Sequence, residues 1–128
     1  MKKKILLVDD IKEFRSLLKI ILSGNYEVVT AEDGEEALIL IESGLNPDVI
    51  VTDLLMPRMD GFQLISRIKS SDPYKNIPII VLSNMDKNSK KESLSRFGVN
   101  NFINKPFNAR DLKDGLQRSL QTALELQN

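Results

Sequence analysis

The chain has 128 residues, 41% of them hydrophobic, with 18 Lys+Arg against 18 Asp+Glu. That length fits one domain, residues 1–128, with a proper core, and the balanced charge excludes a bulk electrostatic pull toward nucleic acid. Cysteine and histidine are both absent, which excludes disulfides, zinc–thiolate sites and any imidazole relay within the chain.

The first apolar run, ILLV at residues 5–8, follows Met1-Lys2-Lys3-Lys4. Four apolar residues are too few for the core of a signal peptide, and no run approaches membrane length, so no membrane contact and a cytoplasmic location are expected. The run is continuous rather than alternating, which predicts a strand buried on both faces. Asp9-Asp10 follow it. Residues 11–22 carry Phe14, Leu17, Leu18, Ile21 and Leu22 at helical spacing, and Asp10 is also placed to cap that helix. A weaker strand, YEVVT at 26–30, has the polar content of a sheet edge. A helix over 35–43 turns Ala37, Leu38 and Ile41 inward, with Gly44 suited to its C-terminal end. The third strand, VIV at 49–51, runs on to Asp53.

A helix over 61–70 carries Phe62, Leu64, Ile65 and Ile68, with Asp60 placed to cap it. The fourth strand, IIVL at 79–82, leads to Ser83. Residues 87–97 form a polar helix with Leu94 and Phe97 inward and Gly98 after it. A second edge strand, NFI at 101–103, precedes Lys105. The last helix, 108–126, carries Leu112, Leu116, Leu120 and Leu124, with Asn108 as its cap. Strand and helix alternate five times, which predicts an α/β fold with a parallel sheet and helices on both faces. Right-handed crossovers put every strand's C-terminal end on one rim, where open α/β sheets do their chemistry.

That rim collects Asp9, Asp10, Asp53, Ser83 and Lys105. Any one has an ordinary explanation: Asp10 or Ser83 as a helix cap, Lys105 as a solvated loop lysine. Together they specify a task. Neighbouring strands lie about 4.8 Å apart, so three carboxylates at this rim repel unless a cation is shared. Oxygen ligands alone suit Mg²⁺, with Mn²⁺ as the other candidate. A carboxylate can attack phosphorus, and a metal, a lysine and a hydroxyl then neutralise the transferring oxygens. If Lys105 lies two strands from Asp53, the gap is roughly 10 Å, which only a long cationic arm spans.

The motifs ILLVDD, VTDLLMPRMDG, IIVLSN and NKPF, in this order and each at a strand end, resemble the receiver domain of bacterial two-component response regulators. The resemblance covers essentially the whole chain. It implies a flavodoxin-like (βα)5 fold with strand order 2-1-3-4-5. It also implies that Asp53 accepts a phosphoryl group from a histidine kinase or a histidine phosphotransfer protein. Asp10, Asp53 and the Leu55 backbone carbonyl would bind Mg²⁺ directly and Asp9 mostly through water. Lys105 and Ser83 would contact the phosphoryl oxygens. Pro106 stands where the family often has a cis bond. Phe102 matches the family's switch aromatic, and a plain edge-strand aromatic is the other reading. Leu55 and Met85 flank the approach of hydrolytic water, and being apolar they cannot orient it, which implies a slowly lost phosphoryl group. Asn84 adds bulk there but can also hold a water, so it can act in either direction. Two departures are Asn84, where Ala or Gly is usual, and Phe102, which lacks the commoner tyrosine hydroxyl.

The expected activity is that of a signalling switch, not an enzyme. Kinase docking is expected at Ile11, Phe14, Arg15 and Phe107, with core packing as the alternative for Phe14. Output would pass to a downstream protein or a covalently attached domain, with a phosphorylation-dependent dimer as one form and no nucleic-acid contact by this domain. Three rivals fit less well. An aspartate-nucleophile phosphatase needs a second acid two residues after the nucleophile, where Leu55 stands. A flavin carrier would meet repelling acids. A non-phosphorylated pseudo-receiver would not need the intact acids, Ser83 and Lys105.

Overall fold

The computed structural model describes residues 2–83, 88–99, 101–105 and 107–127, with side chains throughout these except at 88–91 and 124–127. Five strands alternate with five helices: β1 (Lys3–Val8), α1 (Lys12–Leu22), β2 (Tyr26–Ala31), α2 (Gly34–Glu42), β3 (Val49–Asp53), α3 (Gly61–Lys69), β4 (Ile79–Ser83), α4 (Asn88–Ser95), β5 (Asn101–Asn104) and α5 (Ala109–Gln127). All strand pairs are parallel, in the order β2-β1-β3-β4-β5. Both the alternation and the order match expectation.

The apolar runs are continuous because each strand feeds two cores. Side chains alternate across a strand, so Ile5, Leu7, Val49, Val51, Ile80 and Leu82 meet Leu18 and Leu22 of α1 and Leu112 and Leu116 of α5. Leu6, Val8, Ile50, Ile79 and Val81 face the other way, against Leu38 and Ile41 of α2, Leu64, Ile65 and Ile68 of α3, and Leu94 of α4. Each fully buried aliphatic side chain contributes about 1.5–3 kcal/mol by leaving water. The edge strands β2 and β5 are only partly buried, as their polar content requires.

Helix ends follow local chemistry. Asp60 accepts a hydrogen bond from the Gln63 N–H at 2.9 Å while the Gln63 side chain accepts one from the Asp60 N–H at 3.1 Å, so α3 starts on a reciprocal cap. Asn108 accepts from the Asp111 N–H at 2.8 Å at the start of α5. After α2, Gly44 takes φ 110° and the Leu45 N–H reaches back to the Leu40 carbonyl, the left-handed ending that glycine favours.

Three expectations need correction. Asp10 does not cap α1: the N-cap is Ile11, which makes no side-chain cap bond, and the carboxylate that accepts the Ile11 N–H belongs to Asp9. Leu17 points outward at 53% exposure, because the buried stripe of α1 runs through Leu18 and Leu22 instead. Phe97 is 39% exposed, since the chain turns after α4 and Val99 takes the inner position.

Candidate phosphoryl-transfer site

The Asp9 backbone is held on both sides. Its N–H donates to the Ala31 carbonyl at 3.1 Å, and its carbonyl accepts from the Arg15 guanidinium at 2.7 Å. Its side chain is 1% exposed, and Oδ1 accepts the Ile11 N–H at 2.9 Å. Burial pushes the Asp9 carboxyl above its ordinary value; the Ile11 N–H and the Lys105 charge pull the other way without prevailing. Among the described residues, Oδ2 has no hydrogen-bond partner. Lys105 Nζ stands 3.5 Å from it, within ion-pair reach but too long for a good hydrogen bond.

Asp53 closes β3 opposite Leu82 of β4. Its Oδ1 accepts the Leu54 N–H at 2.7 Å, with the Leu55 N–H farther off at 3.4 Å. Its Oδ2 accepts from Lys105 Nζ at 2.8 Å. Behind it, Gly61 comes so close that a Cβ there would sit 2.2 Å from the Asp53 carbonyl oxygen. The Gly61 N–H donates to the Leu54 carbonyl at 2.8 Å and closes the loop that follows the acid.

Lys105 follows β5, and its N–H donates to the Ser83 carbonyl at 2.9 Å. From there its side chain crosses past β4 to the acids. It also lies over an aromatic face, with Nζ 4.6 Å from the centroid of the Phe14 ring. Phe14 in turn meets Phe107 edge-on, with centroids 6.0 Å apart and planes at 76°.

One carboxylate oxygen each from Asp9, Asp10 and Asp53 lies within 4.8 Å of the others. The three carboxyl groups outnumber the one lysine ammonium beside them. The orphaned, buried Asp9 Oδ2 and an all-oxygen donor set are what a hard divalent cation requires, so these residues fit Mg²⁺.

The remaining predicted residues fall around this centre. Ser83 ends β4 half-buried, beside Asn104 of β5. Phe102 of β5 is half-buried against the core shared by α2, α3 and α4. Leu55 stands at the rim, 61% exposed. Ile11 is 51% exposed, Arg15 holds the Asp9 carbonyl, and Phe14 and Phe107 pack partly against the core beneath α1 and α5. Asn84, Met85 and Pro106 lie outside the described residues.

Sequence reasoning missed a second buried acid. Asp33 accepts the Glu36 N–H at 2.8 Å as the N-cap of α2, and its Oδ2 pairs with the Arg58 guanidinium. That contact lacks hydrogen-bond geometry, so we read it as an ion pair. Arg58 also reaches Glu32 at 3.0 Å, and both partners raise its pKa, Asp33 the more. Arg58 takes φ 62°, uncommon for a residue with a side chain. The Gly34 N–H donates to the Met59 carbonyl at 2.9 Å, so two ties hold the loop after Asp53 to the start of α2. Asp33 followed by Glu36 is a capping pattern that sequence alone offers. The pairing with Arg58 has no local signal.

Comparison with known proteins gives the family. Residues 5–117 match the model of the response regulator receiver domain. The chain is 36% identical over 121 residues to the chemotaxis protein CheY1 of Helicobacter pylori, covering 93% of this chain and 98% of that protein. It is 36% identical over 111 residues to the hybrid signal transduction histidine kinase D of Dictyostelium discoideum, covering 87% of this chain but only 7% of that much longer protein. The structure of the chemotaxis response regulator CheY4 of Vibrio cholerae superposes with a TM-score of 0.84 at 35% identity, covering 93% of this chain and 99% of that one. A matching family model, a shared strand order and a rim of acids around a lysine place the chain in the response regulator receiver domain family, the phosphorylatable signalling switches of two-component systems.

Proposed function

We propose that Asp53 is the phosphoacceptor. The observation that carries this reading is its carboxylate at the end of a central strand, with Oδ2 held 2.8 Å from Lys105 Nζ and the Asp9 and Asp10 carboxylates within reach. An Asp53 oxygen bonds to the phosphorus of a partner's phosphohistidine as the P–N bond breaks. The electron pair stays on the imidazole, which takes a proton from solvent. This chain has no histidine, so the donor side chain comes from elsewhere.

Lys105 is poised to leave Asp53 for the arriving phosphoryl oxygens, and Ser83, at the end of the next strand, offers its hydroxyl to another. Asp9, Asp10, Asp53 and the Leu55 carbonyl would hold Mg²⁺. When bound, the ion supplies positive charge against the phosphoryl oxygens. Phe102, at the edge strand, is the aromatic that answers the hydroxyl's movement. A histidine kinase or phosphotransfer protein in the cytoplasm is the partner in this reading, docking beside exposed Ile11 and near Phe107. Among the described residues, no helix is long and apolar enough to cross a membrane.

Incubation with phosphoramidate and Mg²⁺, followed by intact-mass measurement, tests the assignment. Wild type gains one phosphoryl group and Asp53→Asn gains none. Uptake by the Asn variant at the wild-type rate refutes it. Ile11→Asp slows transfer from the kinase and leaves uptake from phosphoramidate unchanged; equal slowing of both removes Ile11 from the docking surface.

A further inference from the structure

Among the described residues, the ammonium of Lys105 lies beside Asp53 Oδ2 at 2.8 Å, Asp9 Oδ2 at 3.5 Å and the face of Phe14 at 4.6 Å. Two of these change during the proposed reaction. The Asp53 oxygens lose charge when one is bonded to phosphorus, and Asp9 belongs to the cluster that would share a cation. The ring keeps its charge distribution throughout. It is also fixed in place, since Phe107 abuts it edge-on and the core beneath α1 and α5 supports it from below.

We propose that Phe14 is a positioning residue for phosphoryl transfer, its ring face holding the Lys105 ammonium at the rim before and after Asp53 is phosphorylated. The inference rests on Lys105 being the lysine that contacts the phosphoryl group. A lysine has four side-chain torsions and loses considerable freedom when held. The negative face of an aromatic ring attracts an ammonium within about 6 Å of its centroid, more strongly where water is thinned out. The Lys105 side chain is 21% exposed, so the contact is largely sheltered. An aliphatic side chain of similar size would fill the same volume beside Phe107 without attracting the charge.

That difference separates positioning from packing. Phe14→Leu keeps apolar bulk and removes the ring; Phe14→Tyr keeps the ring. With phosphoramidate and saturating Mg²⁺, the maximal phosphorylation rate of the Leu variant is expected to fall about three- to tenfold, the range set by a partly sheltered cation–π contact, while the Tyr variant stays near wild type. The Lys105 ε-methylene is bonded to the ammonium that sits 4.6 Å from the ring centroid, so its protons are expected to resonate upfield of their free-lysine position in wild type and the Tyr variant. That shift is lost in the Leu variant. The NMR reading on wild type needs no variant to fold. Ordinary ε-methylene shifts in wild type overturn the proposal, as does a Leu variant as fast as wild type or a Tyr variant as slow as Leu. Lys105→Met serves as the separate arm. If it is slow while Phe14→Leu is normal, only the role of Phe14 falls. If Lys105→Met itself phosphorylates at the wild-type rate, the role of Lys105 falls first.

Discussion

Replacing Gly61 with alanine should damage stability and chemistry together. The added Cβ would lie 2.2 Å from the Asp53 carbonyl oxygen, 2.7 Å from the Leu54 Cα and 3.0 Å from the Asp53 carbonyl carbon. All three are backbone atoms, so no side chain can swing aside. Relief requires α3 and the end of β3 to part by about 1 Å, and overpacking of this kind costs roughly 1–3 kcal/mol. The contact is entirely with backbone, which puts the expected loss near the top, about 3 kcal/mol. For a domain of this size that lowers the melting midpoint by roughly 10 °C. The atoms that must move belong to the proposed nucleophile, and a 1 Å misplacement of a reacting group can slow a reaction about 10²-fold. Urea denaturation gives the first quantity and phosphoramidate uptake the second. Gly24→Ala is the control, since nothing lies within 4 Å of its added Cβ; its stability should match or slightly exceed wild type. A Gly61→Ala protein within 1 kcal/mol of wild type (roughly the cost of the mildest overpacking), with normal uptake, would refute the view that this glycine sets the position of Asp53.

Without metal, Asp9 has a folded-state pKa raised above 3.8, so its contribution favours the fold at low pH and is lost as pH rises through the folded value. The stability of Asp9→Asn relative to wild type should therefore improve between about pH 4 and pH 7 in chelator, as read by urea melts at each pH; a constant difference would contradict the desolvation of that carboxyl. Asp33→Ala should lose about 1–2 kcal/mol through the α2 cap alone, and denaturation within a few tenths of wild type would show that the cap is replaced. Leu55→Asn combined with Met85→Glu should shed phosphate faster than wild type, because Leu55 stands exposed at the rim with no group to orient water. An unchanged decay in a phosphate-release assay would mean that apolar shielding does not set the lifetime.

The sequence alone determined the alternation of elements and the content of the rim. Strands such as ILLV and IIVL are short, continuous and apolar, and only a sheet covered on both faces buries them fully. Asp9, Asp53 and Lys105 were legible because each stands at or just after the end of a strand the pattern predicts, and the geometry of a parallel sheet carries strand ends to one edge. Asp60, Asn108 and Gly44 were legible for a similar reason, since caps act within one helical turn.

What the tertiary structure decided lies between residues far apart in the chain. Nothing local says that Asp9 is fully buried while Asp10 next to it is exposed; that depends on Ala31 of β2 and Arg15 of α1 fixing the Asp9 backbone. Helical periodicity offered Leu17 and Phe97 to the core, but the buried stripe of α1 runs through Leu18 and Leu22, and the turn after α4 gives the inner position to Val99. The Arg58–Asp33 clasp joins two loops 25 residues apart, and the Phe14 ring meets Lys105 only because the lysine's long arm, starting after β5, reaches the acids beside α1. Periodicity and capping are properties of neighbours in the chain, whereas desolvation, ion pairing and the placement of a charge over a ring depend on what the fold brings alongside.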